Sequence, residues 1–335
     1  MPNLQFAEVA QLAKSCTVIP LIRTIFSGSE TPVSIFEKLA GGNTGTFLLE
    51  SAEQGVWSRY SFIGVNQRGM LLEDRLGLRW ISPAGHRPLP TSQSLPQSSL
   101  DALELMQRSW NSPTITDLPP LTSGLVGLIG WDAVRQIELL PDAPKRVFES
   151  ATVAMVMFED LVIVDHLTSS LHLVANIFIE DGLLTEGIFN DAEERLNTLL
   201  DGLSAPTQPF LAELEIPKQF GVPGNLSEQE FIESVDTAKT FVRQGDVFQV
   251  VLSQRFDVEC DAAPLDVYRV LRALNPSPYM YLFRFNDDLS IVGSSPEALV
   301  KVTGSDVVIH PIAGTRPRGK TPAEDESIAN ELLKD

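Results

Sequence analysis

The pattern of apolar and polar positions divides the chain into a strand-rich first half and a second half in which helical and strand periodicities alternate. "TFLLES" (46–51) and "RYSFIGV" (59–65) are short apolar runs that predict buried strands, and "GMLLEDRLGLRWIS" (69–82) reads as a hairpin. In "SLDALELMQRSW" (99–110) the apolar residues recur at i, i+4 and i+7, which predicts a helix. "ATVAMVMFEDLVIVDHLTSSLHLVANIF" (151–178) predicts consecutive strands of one antiparallel sheet, and the amphipathic "DAEERLNTLL" (191–200) predicts a closing helix. The glycines of "SGLVGLIGWD" (123–132) stand three apart, which is not a dinucleotide fingerprint, so a strand pressed against its neighbour is expected there.

Between Gly202 and Asn225 proline and glycine break both periodicities, which places a linker at 202–225 between domains at 1–201 and 226–335. Beyond it, Ser227 and Glu230 form a capping box ahead of Phe231, Val235, Ala238 and Val242 on one helical face, with Gly245 as the stop. "DVFQVVLSQRFDV" (246–258) then switches to period two, and the strand it predicts carries Gln249 on its mixed polar face. "APLDVYRVLRAL" (263–274) predicts a second helix, ended by Asn275-Pro276. "YMYLFRF" and "LSIVGSS" predict strands paired around "NDD", and "DVVIHPIAG" predicts one more. The fold class is α+β, with antiparallel sheets packed against helices.

With 43% hydrophobic residues among 335, the chain can bury a sizeable core. A net charge of −19 argues against nucleic acid or an anionic membrane as partner. The two cysteines, Cys16 and Cys260, form neither a CxxC motif nor a glutaminase-type elbow. That usage fits a reducing cytoplasm and leaves any amide hydrolysis to another chain. No apolar run is long enough to span a bilayer.

Against this acidic background "HPIAGTRPRG" (310–319) lies in a segment, Val307 to Ala323, without a single acidic residue. Gly314 offers a backbone amide that can be approached closely and Thr315 a hydroxyl donor, a common way to hold a carboxylate. Glu297 follows "GSSP", where Pro296 keeps the chain out of a helix and leaves the carboxyl group at a strand end. A carboxylic acid, anion-binding donors and the neutral amide of Gln249 suit general acid catalysis on an anionic substrate.

"NPSPYMYLF", "GSSPEALVKV" and "IHPIAGTRPRG", in that order after "GDVFQVVLSQRF", resemble the chorismate-utilising enzymes, specifically the component I (large subunit) family of anthranilate synthases. "LLESAEQGVWSRYSFIG" (48–64) matches that family's Leu-Leu-Glu-Ser segment, and the likeness runs from about Ile19 to Asp335. The resemblance implies conversion of chorismate and ammonia to anthranilate and pyruvate, the first committed step of tryptophan biosynthesis. It also implies a glutamine amidotransferase partner (component II) in a heterotetramer, Mg²⁺ as cofactor, and feedback inhibition by L-tryptophan. Glu297 would protonate the departing 4-hydroxyl of chorismate, and Gly314 and Thr315 would hold a substrate carboxylate. Ser51, Pro278, Tyr279 and Met280 would form the tryptophan pocket. Relatives that make isochorismate carry a lysine where this chain has Gln249, and aminodeoxychorismate synthases carry one where it has Ala313. A neutral amide cannot activate water and an alanine cannot act as a nucleophile, so both positions point to anthranilate. The family's metal-binding glutamates and catalytic histidine have no counterpart before Asp335. Metal ligands are therefore not expected here, the chain is expected to be a C-terminally shortened form, and it is expected to be inactive alone. Aminodeoxychorismate or aminodeoxyisochorismate synthase component I, and a non-catalytic tryptophan-binding module, are the alternatives.

Overall fold

The structure, a computed structural model, describes residues 4–51, 59–89, 93–114, 118–145, 147–148, 150–206, 221–310 and 314–334. In chain order the elements are α1 (Phe6–Leu12), β1 (Val18–Phe26), α2 (Pro32–Leu39), β2 (Thr46–Glu50), β3 (Tyr60–Asp74), β4 (Gly77–Ile81), α3 (Ser99–Ser109) and β5 (Leu125–Ile129). A 3₁₀ turn (Trp131–Gln136) precedes β6 (Val153–Asp165), β7 (Ser170–Phe178), α4 (Glu186–Ser204), α5 (Glu228–Gln244) and α6 (Pro264–Leu274). The chain closes with β8 (Tyr279–Arg284), β9 (Ser290–Ser295), β10 (Lys301–Thr303), β11 (Asp306–Val308) and α7 (Pro322–Leu332).

The chain divides into two compact units, one of residues 1–209 with 263–296 and one of 210–262 with 297–335. The first break falls inside the proline-rich 202–225 segment. The expected 226–335 domain, however, is not one unit, because 263–296 belongs with the first. Strand pairing is the reason: β8 lies antiparallel to β2, with Leu48 opposite Leu282 and Glu50 opposite Met280.

The first unit is built on an antiparallel sheet in the order β1-β7-β6-β3-β2-β8-β9, with β4 on β3 and β5 on β6. Period-two alternation sends Leu48, Met280 and Leu282 to a core with Phe36, Leu196 and Tyr268 from the helices. Phe47 and Phe283 go to a second core with Phe158 and Ile163. Helix starts follow local chemistry: Thr31 accepts from the amide of Ser34 ahead of α2, and Pro32 occupies its first turn.

The expected 59–65 strand and 69–82 hairpin are joined, because β3 continues through the polar residues between them. Asn66 donates to Asp160 at 2.6 Å. Arg68 pairs with Glu159 and Glu180 and stacks on Phe178, and the β3–β6 register shifts at this point. The glycine-rich segment behaves as expected, since a Cβ on Gly127 would stand 2.0 Å from the Ala154 carbonyl oxygen.

In the second unit α5 has the predicted capping box, and Gly245 closes it at φ 80° in the left-handed region. The strand predicted over 246–258 is not formed. Among the described residues the segment makes one isolated bridge, Phe256 to Gly224, and finds no ladder to satisfy its backbone. Of "DVVIHPIAG", only Asp306–Val308 is strand, paired with β10, and residues 311–313 lie outside the described residues.

Candidate functional site

The Leu-Leu-Glu-Ser segment and the Pro278–Met280 segment meet at one corner of the first unit. Glu50 stands opposite Met280 as the last pair of that register, so Ser51, next after Glu50, and Tyr279, next before Met280, flank it. Ser51 and Pro278 are half-buried and Tyr279 is 46% exposed, so all three are reachable from solvent. Met280, expected in the tryptophan pocket with these three, is placed differently. Its side chain is 1% exposed and points into the helix-side core, because alternation along β8 places positions 280 and 282 on that face. Just ahead of β8, the Ser277 hydroxyl is buried without a hydrogen-bond partner among the described residues.

Sequence reasoning missed what holds this corner together. The carboxylate of Glu50, its side chain 2% exposed, receives a two-pronged contact from Arg272, Nε and Nη2 each at 2.7 Å. It also accepts the Tyr268 hydroxyl at 2.9 Å. Burial, reinforced by the adjacent Glu50 charge, pushes the Tyr268 phenol well above its ordinary range, so it stays a donor. The Glu50 hydrogen bond raises Arg272 further still. Two signals were available: an acid at the inward end of an apolar strand, and Tyr268 and Arg272 four apart on one face of α6.

In the second unit, Glu297, Gln249, Gly314 and Thr315 are all exposed. Ala313 lies outside the described residues. Arg318 binds Asp325 through Nε at 2.8 Å and Nη2 at 2.5 Å. The amide of Gly319 donates to the same carboxylate at 2.7 Å. Together these donors hold Asp325 below the usual carboxylate range. A Cβ on Gly319 would come 2.1 Å from the Asp325 nitrogen, which explains glycine there. Arg316 lies 3.8 Å from Glu331. The two arginines of the acid-free segment are thus matched by acids on α7. Among the described residues no group of three or more His, Cys, Asp or Glu side chains could hold a metal ion, so the residues described do not fit a Mg²⁺ site. No helix among them is long and apolar enough to cross a membrane.

Residues 70–335 match the family of chorismate binding enzymes. The chain is 41% identical to anthranilate synthase component 1 of Arthrobacter globiformis, covering 100% of this chain and 64% of that protein. It is 39% identical to the protein of that name from Mycolicibacterium smegmatis, covering 97% and 62%. Among solved structures, anthranilate synthase component I from Streptococcus pneumoniae superposes with a TM-score of 0.64 at 26% identity, over 93% of this chain and 64% of that one. The menaquinone-specific isochorismate synthase of Escherichia coli, 14% identical with a TM-score of 0.54, shares the fold. The chain therefore spans about 64% of the length of the relatives it resembles. With its motifs in order and its α+β antiparallel architecture in place, it belongs to the chorismate binding enzyme family.

Proposed function

We propose that these residues are the regulatory part and the first chorismate-handling part of an anthranilate synthase component 1, which converts chorismate and ammonia to anthranilate and pyruvate. The observation that carries this reading is 41% identity, extending over the whole chain, to a relative of that name. Gln249 supports it, because an uncharged amide leaves water unactivated while ammonia needs no such base. Glu297 acts as the general acid toward the departing 4-hydroxyl. Gly314 and Thr315 hold a substrate carboxylate through an amide and a hydroxyl. Arg318 is engaged with Asp325 and serves the loop rather than the substrate.

Such groups act strongly only where water is excluded, and all four are exposed here. Mg²⁺ belongs to the proposed reaction as its cofactor. Glutamine-derived ammonia reaches the site from a separate amidotransferase subunit in a cytoplasmic heterotetramer, and L-tryptophan binds at Ser51, Pro278 and Tyr279 as the inhibitor, with Met280 anchoring that strand in the core.

The test is product analysis of a chimera: residues 1–335 followed by the remaining part of the Arthrobacter globiformis relative, supplied with chorismate, ammonium and Mg²⁺. Anthranilate as the product supports the reading. Isochorismate or an aminodeoxy product overturns it.

A further inference from the structure

At the Ser51 corner strand alternation turns the Glu50 carboxylate inward. Both of its oxygens are taken. Oε1 accepts from Arg272 Nη2, and Oε2 accepts from Arg272 Nε and the Tyr268 hydroxyl. A carboxylate so saturated, with its charge neutralised by a fork, is a poor partner for an incoming ammonium group. What it can do is fix distances. Tyr268 and Arg272 lie on α6, and α6 runs through Asn275–Ser277 into the strand that opens with Tyr279. Ser294 closes this turn from β9, its hydroxyl donating to the Asn275 carbonyl at 2.7 Å. One carboxylate therefore ties the last residue of β2 to the helix whose C-terminal turn delivers Pro278.

We infer that Arg272 and Tyr268, acting through Glu50, are positioning residues for the effector corner, setting the separation between Ser51 and Pro278–Tyr279 that a ligand must bridge. The inference rests on the tryptophan reading above for the identity of that ligand. Stability alone does not explain the arrangement well. A buried ion pair is weak evidence for net stabilisation, and a planar two-pronged contact chiefly adds geometric definition. The unpartnered Ser277 hydroxyl lies in the same turn, so the knot also governs where that donor sits.

The experiment measures L-tryptophan binding to the 335-residue chain by equilibrium dialysis, on variants shown to be folded by near-ultraviolet circular dichroism. Arg272→Gln is expected to weaken binding at least about tenfold and Tyr268→Phe about threefold, with Arg272→Lys between them because it keeps the charge but loses the fork. Arg269→Gln is the control. It perturbs the same helix by freeing Glu37, bonded at 2.8 Å, without touching Glu50, and is expected to leave binding within about twofold. Folded Arg272 and Tyr268 variants that bind like the unsubstituted chain would overturn the inference, as would an equal loss in the Arg269 control.

If the unsubstituted chain binds no tryptophan, the effector reading fails, and hydrogen exchange decides the positioning claim separately. Arg272→Gln should then speed exchange in β2 and β8 while leaving β6 and β7 unchanged. Uniform acceleration across the sheet would mean that the knot serves general stability only.

Discussion

The two units of this chain obey the same hydrophobic patterning with opposite outcomes. In the first, alternation along β2 and β8 ends in two cores, and Phe36, Phe47, Leu48 and Leu282 are fully buried. In the second, the described residues of α5 and α7 include none that is buried, and Phe248, Val251 and Leu299 are 98%, 85% and 91% exposed. A periodic sequence names the face that wants a partner; it becomes structure only where the partner is present. The groups proposed to do chemistry lie in the second unit, and those proposed to regulate it in the first.

The sharpest way to break this comparison is to remove one side chain from each unit. Phe36→Ala should cost about 3–5 kcal/mol by leaving a cavity against the helix-side core, read from urea unfolding. A cost below about 1 kcal/mol would mean that the first unit is not the packed body described.

The end of β6 in the same sheet supplies a pH test. Burial favours the neutral form of Asp165, but hydrogen bonds from Arg59, with Thr168 and the Leu167 amide, outweigh it and hold the carboxyl at about 2. A folded pKa below the unfolded one means that stability is present above the unfolded carboxyl range and is lost as the pH falls through about 2. Asp165→Asn should therefore cost about 1–2 kcal/mol at neutral pH. The gap to the unsubstituted chain should close as the pH approaches about 2, followed by thermal unfolding of both proteins across the range. Asp160, which burial pushes upward, is common to both proteins and cancels in the difference.

Between the units in expected size is regulation. In the chimera Ser51→Arg should weaken tryptophan inhibition at least about tenfold, roughly 1.4 kcal/mol, and leave uninhibited turnover within about threefold. An unchanged inhibition curve places the effector elsewhere, and a collapse of basal activity makes Ser51 a folding residue. The smallest effect belongs to the second unit, where Val242→Ala, on a residue 44% exposed, should change stability by less than about 0.5 kcal/mol. A larger loss would show that α5 is already packed.

Local signals carried most of the first unit. The strand pair around "NDD" and the helix at 99–110 follow from chemistry within a few residues, as the capping box at Ser227 does in the second unit. Three features were not legible, each because its cause is distant in sequence. Residues 246–258 alternate like a strand, but a ladder needs a second strand that alternation cannot supply. The joining of 263–296 to the first unit depends on β8 finding β2 across more than two hundred residues. The site was legible as motifs but not as geometry. Nothing in "LLES" says that Glu50 is claimed by Tyr268 and Arg272 from more than two hundred residues away.

The division of labour between the units is tested most directly by the turnover of Glu297→Gln in the chimera, at saturating chorismate and ammonium. The substitution keeps the shape and removes the proton, so anthranilate formation should fall by about 10²–10⁴-fold while tryptophan affinity, a property of the first unit, stays within about twofold. Turnover within about threefold of the unsubstituted protein would remove Glu297 from the acid role and, with it, the assignment of the chemistry to the second unit.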